Sequence, residues 1–285
     1  MTWGCHHLIK KVDASFSLGP ISFTLEPGTV TALVGDNGSG KSTFFRLWMD
    51  LIKANQGTWE RKEGWKEDTA YVPQQLIGIE AFTLEELAYL YEGVYVKWDQ
   101  KTFERLVKNF SLPMKKPLHS LSVGMQKKAL FSMAIARKPN LFLLDEPFAG
   151  VDMDGQEQMK DELIRYLTRH EQATVLFATH SAQEVKELAD YLLVLHQGQM
   201  LGFYEKDRLL SSWGRFWLEG NASAIKNEEN VVSVKTAGAR IEIITSDALR
   251  FEEQIAAAAL EKVEAQPLEL HEIVRLLKKR NVSVC

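Results

Sequence analysis

The chain has 285 residues, which suggests about two domains at ~150 residues each, and its 45% hydrophobic and 25% charged content is that of a globular protein. With 18 glycines and 8 prolines it is neither collagenous nor low-complexity, and 34 basic against 38 acidic side chains give a net charge of −4. That balance excludes the strongly basic footprint of a nucleic-acid or anionic-membrane binder, so no nucleic-acid partner is expected. Cys5 and Cys285 stand at opposite ends of the chain, so no disulfide framework is expected and a reducing cytoplasm is the expected setting. Apolar runs such as Leu141–Leu144 and Tyr191–Leu195 are far shorter than the ~18–20 residues that span a bilayer. Met1 to Lys11 lacks the apolar stretch of a signal peptide.

In chain order, Val30–Val34 reads as a buried strand that runs directly into a glycine-rich turn. Phe44, Leu47, Trp48 and Leu51 then recur at helical spacing and should face a sheet. From Pro73 to Pro139 the pattern is mostly helical, with Phe82-Thr83-Leu84-Glu85-Glu86 resembling a capped helix start. Leu141–Leu144 is a continuous apolar run, as in a parallel strand covered on both faces. Thr174–Thr179 and Tyr191–Leu195 read as further strands, and His196-Gln197-Gly198-Gln199 turns the chain back through Met200–Phe203. Short strands alternating with longer helices predict an α/β fold with a parallel sheet. From about Phe216 the character changes to β-branched runs, Val231–Lys235 and Ile241–Thr245. A helix is expected from Ser246 to about Val263, and a last one from about Leu268 to Lys279. That predicts a small α+β domain beginning between residues 205 and 215.

Gly35-Asp36-Asn37-Gly38-Ser39-Gly40-Lys41-Ser42 fits G-x-x-x-x-G-K-[ST], with a strand before it and a helix after it. Glycines let successive amides turn toward one anion, and the following helix adds its N-terminal dipole. Lys41 is expected to reach the β- and γ-phosphates of a nucleotide, and the Ser42 hydroxyl to ligate Mg²⁺, with Thr43 beside it. Such a loop needs a carboxylate on a neighbouring strand to hold Mg²⁺. Asp145 ends the apolar run Leu141–Leu144 where that group belongs, and Glu146 is next to it, placed to polarise an attacking water.

These residues resemble the ATP-binding cassette (ABC) ATPases. Leu121-Ser122-Val123-Gly124-Met125 is similar to that family's LSGGQ signature, and Leu143-Leu144-Asp145-Glu146-Pro147 to its Walker B motif. Pro73-Gln74 resembles the Q-loop, Ala149-Gly150-Val151-Asp152 the D-loop and His180 the H-switch, all in the family's order. Two departures stand out. Val123 and Met125 replace a signature glycine and glutamine, and the following Gln126-Lys127-Lys128 makes the run similar to the LS-x-GM-[KQ]-K variant of bacterial export-type ATPases. The stretch Ala14-Ser15-Phe16-Ser17-Leu18 is short where the family often stacks an aromatic on adenine; Phe16 is the candidate there, with a core role as the competing reading.

The resemblance implies a P-loop NTPase fold with a RecA-like core and a helical subdomain at about 76–138. The ATP-binding domain would span 1–210 and a C-terminal accessory domain 211–285. It implies Mg²⁺-dependent ATP hydrolysis with Glu146 as base or water positioner, and Lys41, Gln74 and His180 around the γ-phosphate. Asp145, Ser42 and Gln74 would hold Mg²⁺. Ser122 and Gly124 would act on ATP held by a second copy, or by a related ATPase, in a head-to-tail dimer. The implied function is to power export through a separate multi-spanning permease, from the cytoplasmic face of the membrane. Residues 76–100, with Phe82, Tyr89, Tyr91, Tyr95 and Trp98, would form the coupling surface. The alternatives are a soluble ABC ATPase acting on nucleic acid or ribosomes, and a membrane signalling or remodelling ATPase without transport. Lys127-Lys128 is expected on a helix surface and Trp48 in the core.

Overall fold

The structure is a computed structural model that describes residues 2–219, 225, 228–238, 240–258 and 260–282; Ala259 and Cys285 lie outside these. The chain forms two compact units, Met1–Met200 and Leu201–Cys285. The division falls in a strand, β9 (Gln199–Glu205).

Two sheets build the first unit. β1 (Trp3–Lys11) pairs antiparallel with β2 (Ser17–Leu25) and with β4 (Gln56–Glu60). The other sheet takes β3 (Val30–Val34), β5 (Thr69–Val72), β6 (Leu141–Asp145), β7 (Thr174–Thr179) and β8 (Tyr191–His196) in the order β5-β6-β7-β3-β8, with β9 at the edge. The first five are parallel, and all residues of β6 and β7 are buried, which is why their sequences are unbroken apolar runs rather than alternating ones. Register aligns Val34 with Thr179 and Asp145 with Ala178, so β3, β6 and β7 end side by side. In an open α/β sheet that carboxyl edge is where ligands bind.

Helix α1 (Lys41–Trp48) follows β3 after one tight turn. Phe44, Leu47 and Trp48 are buried as their spacing predicts, each contributing roughly 1.5–3 kcal/mol of apolar burial. Leu51 is different: the helix ends at Trp48, and Leu51 is 64% exposed. Between β5 and β6 lie α2 (Leu84–Val94), α3 (Gln100–Asn109), a 3₁₀ turn (Leu118–Ser120) and α4 (Val123–Ala136). The predicted cap of α2 is a full capping box: the Thr83 hydroxyl accepts from Glu86 N–H, and the Glu86 carboxylate accepts from Thr83 N–H at 2.8 Å. Helices α5 (Met153–Arg169) and α6 (Ala182–Leu188) complete the unit. Cys5 is free and buried, and burial pushes its thiol up to about 12.

The second unit holds α7 (Lys206–Ser212) and an antiparallel sheet in the order β11 (Val231–Ala237), β12 (Arg240–Thr245), β10 (Gly214–Glu219), β13 (Glu261–Pro267). Phe216, Leu218, Ile241, Ile243, Phe251 and Ile255 form its core under α8 (Ala248–Ala257), and α9 (Leu270–Val282) follows. The helix expected to run to Val263 stops at Ala257. Glu261–Pro267 instead pairs with β10, although all its side chains are exposed and carry no strand-like apolar alternation. Among the described residues no helix is long and apolar enough to cross a membrane.

Candidate functional site

The turn after β3 keeps its glycines for steric reasons. Gly40 has φ +108°, and a Cβ there would meet the side chains of Leu18 and Phe16 at 2.7 and 3.1 Å. Gly38 has φ +79° and open space where a Cβ would stand, so its backbone can approach a ligand directly. Lys41, 5% exposed, folds back into the loop and donates from Nζ to the carbonyls of Gly35 at 2.8 Å and Asp36 at 3.2 Å. Its Nζ also lies 3.9 Å from Glu146 Oε1.

Glu146 is where the elements converge. It follows the last residue of β6 and takes φ +48°, a strained conformation for a residue with a Cβ. Its amide donates to Ala178 O at 3.1 Å, tying the end of β6 to β7. Gln74 Nε2 donates to Glu146 Oε2 at 3.2 Å, and His180 Nδ1 stands 3.4 Å from Oε1. Residues far apart in sequence (41, 74, 146 and 180) thus share one carboxylate.

Asp145 is 1% exposed, and burial raises its carboxyl; the nearby Ser42 hydroxyl and the Lys127 and Lys41 ammonium groups oppose that rise. Both its carboxylate oxygens are buried without a hydrogen-bond partner of good geometry. A buried carboxylate in that condition, beside a hydroxyl, is a hard-oxygen donor set that suits Mg²⁺.

An open cavity of about 330 Å³ joins these parts. Asn37, Gly38, Gly40, Lys41, Ser42 and Thr43 form one side, Gln74 and Glu146 another, and Phe16 and Asp13 the third. Phe16 is half-buried and faces the cavity rather than the core. Gly35, Asp36 and Ser39 shape the loop from behind, and Ser39 N–H donates to Asp36 O at 3.1 Å.

Ser122 and Gly124 do not line that cavity. Ser122 caps α4, its hydroxyl accepting from Met125 N–H at 3.3 Å, and it is exposed. Gly124 packs so close to the Gly150 backbone that a Cβ would lie 2.8 Å from its carbonyl oxygen.

Lys127 overturns its expected surface position. It is 4% exposed, and Nζ donates to Pro73 O at 3.0 Å and to Asp145 O at 3.1 Å. Burial brings its ammonium down to about 8, against the upward pull of Asp145 and Glu146. Among the aromatics of 76–100, Tyr91, Tyr95 and Trp98 pack on one another, whereas Phe82 and Tyr89 are exposed.

The parallel sheet, the glycine turn opening a helix, and the acidic pair at the carboxyl end of β6, one strand removed from β3, define a P-loop nucleotide-binding ATPase. Residues 18–149 match the ABC transporter family. A zinc import ATP-binding protein, ZnuC of Photorhabdus laumondii, is 33% identical over 195 residues, covering 66% of this chain and 74% of that protein. The chain belongs to the ABC transporter ATP-binding proteins, which are ATPases. The ABC transporter ATP-binding protein YtrB of Bacillus subtilis is 25% identical over 244 residues, 81% of this chain and 82% of YtrB. Among solved structures, an ATP-binding subunit of an ABC transporter superposes with a TM-score of 0.66 at 23% identity, over 74% of this chain and 92% of its own. CbiO1 of Clostridium perfringens, described as part of the transporter complex cbiONQ, gives a TM-score of 0.58 at 22% identity over 73% and 90%. At those identities the superpositions speak for the fold alone.

Proposed function

We propose that this chain is the ATP-hydrolysing subunit of an exporter, docked on the cytoplasmic face of a separate multi-spanning permease and driven by ATP-dependent dimerisation. The observation that carries the catalytic part is the convergence of Lys41, Gln74 and His180 on Glu146 beside an open glycine loop. The 1–210 ATP-binding domain, its helical part at 76–138 and an accessory domain from 211 onward belong to this reading.

In the reaction a water oxygen attacks the γ-phosphorus of ATP, the bond to the bridging oxygen breaks, and ADP leaves. Glu146 orients that water and accepts its proton, which passes to the phosphate product. The amides of Asn37, Gly38, Ser39 and Gly40, with Lys41, hold the β- and γ-phosphates where charge develops, with Gly35, Asp36, Ser42 and Thr43 shaping the site. Mg²⁺, when bound by Ser42, Asp145 and the Gln74 amide oxygen, supplies charge neutralisation for those oxygens. His180 hydrogen-bonds the γ-phosphate and registers its loss, and Phe16 stacks on adenine. Ser122 and Gly124, exposed or seated away from their own loop, serve the nucleotide of a second copy, so that two chains enclose two ATP molecules head to tail.

Export rests on the Leu121-Ser122-Val123-Gly124-Met125 variant and on the appended unit; Phe82, Tyr89 and Val96 offer exposed apolar surface for the permease. The test uses tagged Glu146→Gln protein expressed in its native host, with membranes solubilised in detergent and ATP. Co-purification of a stoichiometric multi-spanning protein is expected, and vesicles holding that complex should expel substrate. Recovery with ribosomes or nucleic acid would overturn the transport reading. Recovery of a permease together with a solute-binding protein would overturn its direction.

A further inference from the structure

Lys127 stands at the last position of the LS-x-GM-[KQ]-K run, to which the family resemblance assigns no role, yet its ammonium touches the segments that carry Gln74 and Glu146. Its two acceptors are the carbonyls of Pro73 and Asp145, each one residue before a group that meets at the site, Gln74 and Glu146. Because Gln74 also donates to Glu146, the contacts close into a ring: Lys127, Pro73, Gln74, Glu146, Asp145 and back to Lys127. The peptide group between Asp145 and Glu146 is therefore held at both ends. Its carbonyl accepts from Lys127 Nζ and its N–H donates to Ala178 O. That peptide leads into the left-handed Glu146, a conformation that persists only where the surroundings over-determine it.

Lys127 also sits on α4, the helix capped by Ser122 and packed through Gly124 against Gly150. A helix moves as a rigid rod, so a displacement at Ser122 is transmitted to the carbonyls that Lys127 holds.

We infer that Lys127 is a positioning residue for ATP hydrolysis: from α4 it fixes the Asp145–Glu146 peptide and the Gln74 segment, and so ties the signature helix to the base of its own chain. The inference rests on the assignment of Glu146 as the group that orients water. A small error in the direction of that carboxylate costs turnover far more than nucleotide affinity, since geometry in the transition state is what is lost. A residue that only supported the fold would lower affinity, turnover and melting temperature together.

The experiment measures steady-state ATP turnover, affinity for a fluorescent ATP analogue and melting temperature in Lys127→Met and Lys127→Arg. Lys127→Met keeps the side chain's length and apolar stem but has no donor. It should lower kcat about 10–100-fold while analogue affinity stays within about twofold. Lys127→Arg retains two donors and should recover most of the lost kcat. Unchanged turnover in Lys127→Met would overturn the inference, as would parallel loss of affinity and turnover, failure of the variant to fold, or an arginine variant no better than methionine. A wild-type protein that binds the analogue but does not hydrolyse ATP would overturn the functional reading instead.

Discussion

At the scale of single residues, one carboxylate, Glu146, is the common neighbour of three side chains, and the proposed chemistry turns on it. Glu146→Gln keeps the shape and removes the proton acceptor, so kcat should fall by about 10²–10⁴-fold while ATP affinity is retained. Phosphate release assayed beside equilibrium binding checks this; wild-type turnover would exclude Glu146 as the base. Lys41→Ala acts on the other half of the site. Its ammonium donates to the Gly35 and Asp36 carbonyls and, in the proposed reading, turns to phosphate, so ATP affinity should drop about 10–100-fold, as for a lost charged hydrogen bond. The two variants separate binding from chemistry: titration calorimetry should find the first tight and inert, the second weak. The loop residues were legible in the sequence because the motif is contiguous and its conformation local. Lys127 was not, since its place in the signature variant says nothing of burial, and what buries it is contact with Pro73 and Asp145, far away in sequence.

At the scale of elements, legibility followed how local the determining forces are. Val30–Val34 and Leu141–Leu144 could be read because a strand covered on both faces must be apolar throughout, and the α2 start because its capping box spans four residues. β13 could not, because an edge strand with exposed side chains takes its structure from the ladder it joins. α3 and α5 are held by a contact of the same long-range kind. The Glu162 carboxylate accepts from both terminal guanidinium nitrogens of Arg105, at 2.6 and 2.8 Å, and from Arg165 at 2.5 Å. Burial tends to raise Glu162, yet the two guanidinium partners prevail and hold it below the usual carboxylate range. A carboxyl depressed in the folded state adds stability that is full above its unfolded value near ~4.3 and is lost as pH falls through the folded one. Glu162→Gln should therefore be less stable by about 1–2 kcal/mol at pH 7, allowing for solvent at Arg105, or roughly 2–6 °C in Tm. The gap to wild type should close as pH falls from about 5 toward 3. Thermal unfolding across that range measures it, and a gap independent of pH would mean that packing, not the ion pair, is what was lost.

At the scale of the whole molecule, the placement of Ser122 bears on assembly. The residue is exposed beside Val123, itself 59% exposed, at the start of a helix whose remaining length is largely buried. It does not line the cavity built by its own glycine loop, although both lie in the first unit. A hydroxyl and an exposed apolar neighbour facing outward from an otherwise buried helix suit a surface that a second copy covers when ATP is bound. In the Glu146→Gln background, where ATP persists, light scattering should show the mass doubling on addition of ATP and Mg²⁺ and reverting when nucleotide is removed. Ser122→Arg places a long side chain at that surface without touching the loop of its own chain. It should leave affinity of the isolated chain for ATP within about twofold while weakening the dimer at least tenfold, about 1.4 kcal/mol. If the arginine variant still doubles its mass at the same protein concentration, the copies meet through another face. If it neither dimerises nor binds ATP, Ser122 belongs to its own site and the head-to-tail arrangement is wrong.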